Sequence, residues 1–311
     1  MNGPTVAVCP GRFGDAMMQG LRLMMPDVDM VTAGSPDAVA RADVLVTLAD
    51  DDAGIAAALT PGISWVHVLG AGIDGFPLHL VGDRTLTCSR GAGAPAIAEF
   101  VLAAMLAFEK RLPDSWVTEP PARWNTAELG GLEGRTLGVV GLGSIGTQVA
   151  TRALAFDMQV VALRRSQGSS PVPGVMLCPN LSSLLGGSDH IVLAAPATPE
   201  TNRLIDGVAL AEVKPGAHFV NVSRGSLVDQ DALLGAVDDG RIAMASLDVV
   251  EPEPLPAGHP LYAHPRVRLS PHISWSSPRT VARTFQLFAD NVARYRSGQA
   301  LLGLVDVEAG Y

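Results

Sequence analysis

The segment Thr136–Gly146, TLGVVGLGSIG, narrows the folds open to this chain more than any other stretch. An apolar run ends on Gly141-x-Gly143-x-x-Gly146, and an alanine-bearing, helix-like pattern follows at once. The chain has 33 glycines, so the spacing alone is weak, and its place between a strand and a helix is what counts. Gly141 permits a tight turn, Gly143 lets the backbone approach a pyrophosphate, and Gly146 lets helix and strand pack closely. The N–H groups at the start of the helix then face the phosphates. The competing reading is a glycine-rich turn of an α/β fold that holds no ligand.

Short apolar runs alternate with helical stretches along the rest of the chain. Strands are predicted at 5–9, 28–32, 44–48, 65–68, 136–140, 159–163, 190–194, 218–221, 244–248 and 267–269. Several are continuous in Val, Ile, Leu and Ala, the pattern of parallel strands covered on both faces. Helices are predicted at 14–24, 94–110, 144–156, 230–238 and 278–296. This alternation points to an α/β fold of two doubly wound parallel-sheet domains. Pro113, Pro120 and Pro121 break the chain before the fresh strand at Thr136, and five prolines between Pro252 and Pro265 break it again. The expected division is a dinucleotide-binding domain over 93–276, inserted into a smaller substrate-binding domain of 1–92 plus 277–311.

Composition removes several function classes. The 22 basic and 31 acidic residues give a net charge of −9 without a basic run, which argues against nucleic acid or an anionic membrane as partner. Cys9, Cys88 and Cys178 lie far apart, so neither a disulfide framework nor a metal site is expected, and a reducing compartment fits better. The N-terminus lacks a charged-then-apolar leader pattern, and the apolar run Phe100–Phe108 is too short to span a bilayer. A cytoplasmic protein is expected.

Eighteen residues beyond Gly146 the second strand of the fingerprint unit runs into Arg164-Arg165-Ser166. An NAD site usually carries an acidic residue there, accepting hydrogen bonds from the adenosine ribose. A guanidinium instead pairs with a 2′-phosphate. The position therefore favours NADP over NAD, with NAD still possible; two solvated loop arginines are the alternative.

Three further segments, FVNVSRGSLVD (219–229), SLDVVEPEPLP (246–256) and LSPHISW (269–275), follow in order. With the fingerprint, HVLGAGID (67–74) and PATPET (196–201), they resemble the D-isomer-specific 2-hydroxyacid dehydrogenase family, most closely its glyoxylate/hydroxypyruvate reductases. The family's Arg–Glu–His set falls on Arg224, Glu253 and His272. The chemistry agrees. The planar fork of Arg224 suits a carboxylate and a polarised carbonyl, and His272 is a proton donor near neutrality. A glutamate can bond the far ring nitrogen and favour the imidazolium. Glu251 competes for that role, but only Glu253 keeps the family's five-residue spacing from Asp248.

The resemblance also implies cofactor contacts at Ser144, Ile145, Pro196, Thr201, Val222 and Ser223, with Arg224 and His272 bordering cofactor and substrate alike. It implies that Asp248 accepts a hydrogen bond from the nicotinamide carboxamide. The loop Leu69–Asp74 is expected to offer N–H groups at Ala71 and Gly72 to the substrate carboxylate, with closure of the two domains over it. The expected partner is a small 2-keto or 2-hydroxy acid, and a homodimer is implied. Two departures stand out: Ile273-Ser274-Trp275 follows His272 where many members carry small residues, and Trp124 only loosely matches a segment that reaches a neighbouring subunit in some reductases. The reading is an NADP-dependent reductase of small 2-keto acids giving D-2-hydroxy acids. The alternatives are a non-catalytic dinucleotide-sensing corepressor on the same fold, or a phosphite- or formate-type dehydrogenase, formate being disfavoured by a short N-terminal domain.

Overall fold

A computed structural model describes residues 4–9, 11, 14–49, 52–165 and 168–310. They form two compact units, Met1–Gly93 with Ser277–Tyr311, and Ala94–Ser276. The second interrupts the first in sequence.

The first unit runs β1 (Val6–Val8), α1 (Gly14–Met24), β2 (Met30–Thr32), α2 (Pro36–Val39), β3 (Val44–Thr47), α3 (Asp52–Ala58), β4 (Trp65–Val68) and β5 (Thr85–Cys88), and the last helix, α10 (Pro278–Arg296), returns to it. All strand pairs are parallel, in the order β2-β1-β3-β4-β5. Every side chain of β1, β3 and β4 is buried, so these strands read as apolar runs with only Thr47 and His67 as polar members. Residues 303–305 bond the free side of β5 through Cys88 N–H to Gly303 O (2.9 Å) and Val305 N–H to Leu86 O (3.0 Å), so that edge is covered.

The second unit runs α4 (Ala94–Lys110), β6 (Thr136–Val140), α5 (Ser144–Leu154), β7 (Gln159–Leu163), β8 (Val175–Leu177), α6 (Leu181–Gly187), β9 (His190–Leu193), α7 (Gly207–Ala211), β10 (Ala217–Asn221), α8 (Gln230–Asp238), β11 (Ile242–Leu247), α9 (Pro260–Ala263) and β12 (Val267–Leu269). Its sheet is parallel throughout, in the order β12-β11-β10-β9-β6-β7-β8. The order reverses between β6 and β9, and such switch points are where open α/β sheets bind ligands, at the carboxyl ends of the strands. None of the described helices is long and apolar enough to cross a membrane.

The doubly wound α/β fold is as read from the sequence, with corrections in detail. β5 and β8 were not foreseen, nor were the short helices α2, α3, α6, α7 and α9. β8 has three residues, only one of them buried, and so carries almost no apolar pattern. The helix expected to reach Phe156 ends at Leu154.

Three buried histidines stand inside these sheets. His67 on β4 bonds Thr87 Oγ1 through Nδ1 (2.7 Å) and Ser89 Oγ through Nε2 (3.2 Å). In the second unit His190 reaches Glu109 Oε1 through Nε2 (3.1 Å) and His218 through Nδ1 (3.2 Å), and His218 reaches Ser246 Oγ (2.9 Å). Burial lowers the pKa of His67 to about 3 and that of His190 to about 4, and pushes His218 well below its ordinary value. Unfolded imidazoles titrate near ~6.5. From there down to about 4 the unfolded chain takes up protons that the folded one refuses, so stability falls with falling pH. Urea melts at pH 7 and 4.5 should differ, with His190 contributing on the order of 3 kcal/mol. His190→Gln should make that pH slope shallower; an unchanged slope would show that His190 does not carry it.

Candidate active site

The fingerprint turn lies at the switch point of the seven-stranded sheet, after β6. Gly141 adopts φ +99°, and a Cβ there would stand 2.6 Å from Ala195 N. A Cβ on Gly146 would stand 2.0 Å from Gly141 O, so turn and helix meet only because both residues are glycine. Gly143 is different. Open space surrounds its Cβ position, and it caps α5 without any side-chain hydrogen bond to the first helical N–H groups. With Ser144 and Ile145 opening α5, these residues fit a dinucleotide pyrophosphate, whose oxygens would take the uncapped donors.

Arg164 and Arg165 follow β7, the strand beside β6. Arg164 Nη1 donates to Ser169 O at 3.3 Å. Arg165 lies near Glu200, whose carboxyl is held below its usual range first by the Thr198 hydroxyl and further by the Arg165 charge. The strand end with both arginines thus approaches the loop after β9. Ser166 lies outside the described residues.

Several expected cofactor residues bind other parts of the protein in this structure. Thr201 Oγ1 donates to Pro196 O (2.7 Å) and accepts from Thr198 N–H (2.8 Å), closing the loop after β9 on itself. The Ser223 hydroxyl donates to Ala195 O, tying the loop after β10 to the one after β9. Val222 is buried in the core between α4, α5 and the sheet.

The loops after β10, β11 and β12, three neighbouring strands, bring Arg224, Asp248, Glu253 and His272 to one edge of the sheet. Asn221 sets the Arg224 backbone: its Nδ2 donates to Arg224 O (2.9 Å) and its Oδ1 accepts from Ser223 N–H (3.0 Å). Arg224 Nη1 also donates to Ser223 O at 2.7 Å. His272 Nδ1 meets Glu253 Oε2 at 2.8 Å, and Glu253 Oε1 accepts from Val250 N–H at 3.1 Å. Of the two glutamates, Glu253 is the one whose carboxylate meets the His272 ring, whereas Glu251 bonds Gln230 through its backbone. With Nδ1 turned to Glu253, Nε2 is the ring nitrogen left for a substrate.

Asp248 has a part that sequence reasoning did not foresee. Its carboxylate is buried and accepts from the Ser270 hydroxyl, Ile273 N–H (3.0 Å) and Ser274 N–H (2.8 Å), while its carbonyl accepts from His272 N–H (2.9 Å). It therefore holds the whole loop that presents His272, a residue at φ +55° in the left-handed region that non-glycine residues rarely occupy. Trp275 adds to this hold through Nε1 to His272 O (2.9 Å) and packs against the core rather than standing free. Trp124 is exposed, as are Trp116 and Leu129 in the same irregular segment. The only sequence hints of this scaffolding were an asparagine ending β10 and serines flanking His272.

In the first unit Ala71 and Gly72 lie in the loop after β4, again at the carboxyl end of a strand. Among the described residues no acceptor bonds their N–H groups.

The family profile described as "D-isomer specific 2-hydroxyacid dehydrogenase, NAD binding domain" matches residues 102–274, inside the second unit. A glyoxylate reductase of Thermofilum pendens is 32% identical, over 93% of this chain and 91% of its own. A glyoxylate/hydroxypyruvate reductase A of Serratia proteamaculans is 30% identical, over 79% and 81%. Among solved structures, a D-isomer specific 2-hydroxyacid dehydrogenase from Xanthobacter autotrophicus Py2, in complex with NADPH and MES, superposes with a TM-score of 0.84 at 28% identity, covering all of both chains.

Proposed function

The chain belongs to the D-isomer specific 2-hydroxyacid dehydrogenases, a family of NAD(P)-dependent oxidoreductases, and from that premise we propose that it reduces small 2-keto acids of the glyoxylate/hydroxypyruvate type to D-2-hydroxy acids with NADPH. The observation that carries this reading is the 2.8 Å pairing of His272 Nδ1 with Glu253, which leaves Nε2 to hold a proton. When bound, NADPH would supply the hydride equivalent for the reduction. Arg224 binds the carboxylate and polarises the carbonyl with its planar fork. His272 Nε2 donates its proton to the carbonyl oxygen, and the fixed Glu253 carboxylate stabilises and orients the ring while it is charged. Asp248 holds the His272 loop, and in this reading it would also accept from the nicotinamide carboxamide.

NADPH over NADH is supported by Arg164 and Arg165 standing where an acidic residue would select NAD. Arg164→Asp should shift kcat/KM toward NADH, the lost 2′-phosphate contact lowering kcat/KM for NADPH roughly 10- to 150-fold. Steady-state oxidation of both cofactors against glyoxylate and hydroxypyruvate measures this, and a wild type that prefers NADH overturns the cofactor assignment. No turnover with any 2-keto acid, despite dinucleotide binding, would overturn the reductase reading itself. The reading includes a cytoplasmic homodimer. The exposed apolar side chains Trp116, Trp124 and Leu129 support it, and sedimentation velocity distinguishes that dimer from a monomer.

A further inference from the structure

His272 stands at φ +55°, a conformation that persists only where its surroundings enforce it. Its N–H donates to Asp248 O (2.9 Å) and Ser270 O (3.0 Å), and its ring meets Glu253. Those contacts come from the ends of β11 and β12 and the loop between them. The carbonyl of His272 is held from the side of the core. It accepts from Trp275 Nε1 at 2.9 Å, across a turn that Ser276 N–H closes on Ile273 O (2.8 Å). Trp275 is half-buried and packs against the apolar cluster between α4, α5 and the sheet. That cluster also takes in Leu142 and Ile145 of the fingerprint turn, and Val222 in the loop that leads to Arg224. The indole thus joins the backbone of the proton donor to the packing that carries the dinucleotide turn.

Resting on the reductase reading, we propose that Trp275 is a positioning residue for proton transfer. Its indole N–H, anchored by the packing of the ring, fixes the His272 carbonyl and with it the place of Nε2 relative to the fingerprint turn. The role requires no contact with the substrate. A reacting group displaced by about 1 Å can cost about 10²-fold in rate. Binding of the keto acid by Arg224, and of the dinucleotide by the glycine turn, does not depend on this hydrogen bond. Its signature is therefore a loss in kcat with little change in KM.

Two replacements separate the hydrogen bond from the packing. Trp275→Phe keeps an aromatic ring in the core but has no N–H. Trp275→His loses the benzene half of the indole, yet its Nε2 takes the same place on the five-membered ring as the indole nitrogen. Trp275→Phe should lower kcat for glyoxylate reduction with NADPH about 10- to 100-fold, with KM and NADPH affinity nearly unchanged. Trp275→His should recover part of that loss although it fills the core less well. Thermal melts should run in the opposite order, with the histidine variant the less stable. Hydrogen–deuterium exchange of the whole chain gives a readout that needs no turnover. The amides of His272, Ile273 and Ser274, all bonded to Asp248, should exchange faster in Trp275→Phe than in Trp275→His or wild type. A kcat that follows the melting order, with Trp275→Phe above Trp275→His, overturns the assignment, and so does wild-type kcat in Trp275→Phe. If wild type turns over no 2-keto acid, the reductase reading falls and exchange decides the hold by itself. Wild-type exchange in Trp275→Phe then removes it, and faster exchange there upholds it.

Discussion

His272→Ala should slow 2-keto acid reduction by about 10²–10⁴-fold in kcat, the usual contribution of a positioned general acid. Its direction with pH is as specific as its size. Reduction draws on a proton held at Nε2, and oxidation of the hydroxy acid requires that nitrogen to be empty. Raising the pH should therefore slow the first reaction and speed the second in wild type, and both responses should vanish in His272→Ala. Glu253→Gln should cost less, because a hydrogen-bonding group remains beside Nδ1 to orient the ring. Glu251→Gln is the control, since Glu251 faces Gln230 through its backbone. A Glu251→Gln enzyme that loses reductive rate while Glu253→Gln does not would mean that the 2.8 Å contact is not the working one.

Arg224→Lys should lower kcat/KM for the keto acid by about 10²-fold or more, because an ammonium keeps the charge but cannot give the parallel N–H bonds of a planar fork. NADPH affinity should hardly change, and neither should stability. The backbone at this position is set by Asn221, and the guanidinium bond to Ser223 O is one that a lysine ammonium can replace. Wild-type kinetics in Arg224→Lys would remove Arg224 from the substrate site. Thermal melts of the variant separate lost chemistry from lost folding.

Features legible in the sequence were those whose physical demand is local. A turn that needs φ +99° at Gly141, and a helix start with no room for a Cβ at Gly146, write themselves as glycines at fixed spacing. Strands buried on both faces write themselves as apolar runs, and two arginines at a strand end are read directly. These demands were sufficient for the two-sheet α/β architecture and for Arg224 and His272 as candidates.

What remained undecided depended on distant parts of the chain meeting. Glu251 and Glu253 are two residues apart and each is followed by proline; the spacing from Asp248 favours Glu253 by resemblance, but spacing does not itself make a contact. Only the path of the chain between β11 and β12 brings one carboxylate to 2.8 Å from His272 and turns the other position toward Gln230. Asp248 could hold the His272 loop only once residues 22 to 26 positions away had folded onto it. β5 and β8 are too short to be stable alone and exist because a neighbouring strand supplies their hydrogen bonds. Local backbone and burial requirements leave a periodic trace along the chain, whereas a contact between remote residues leaves none until the sheet that joins them is formed.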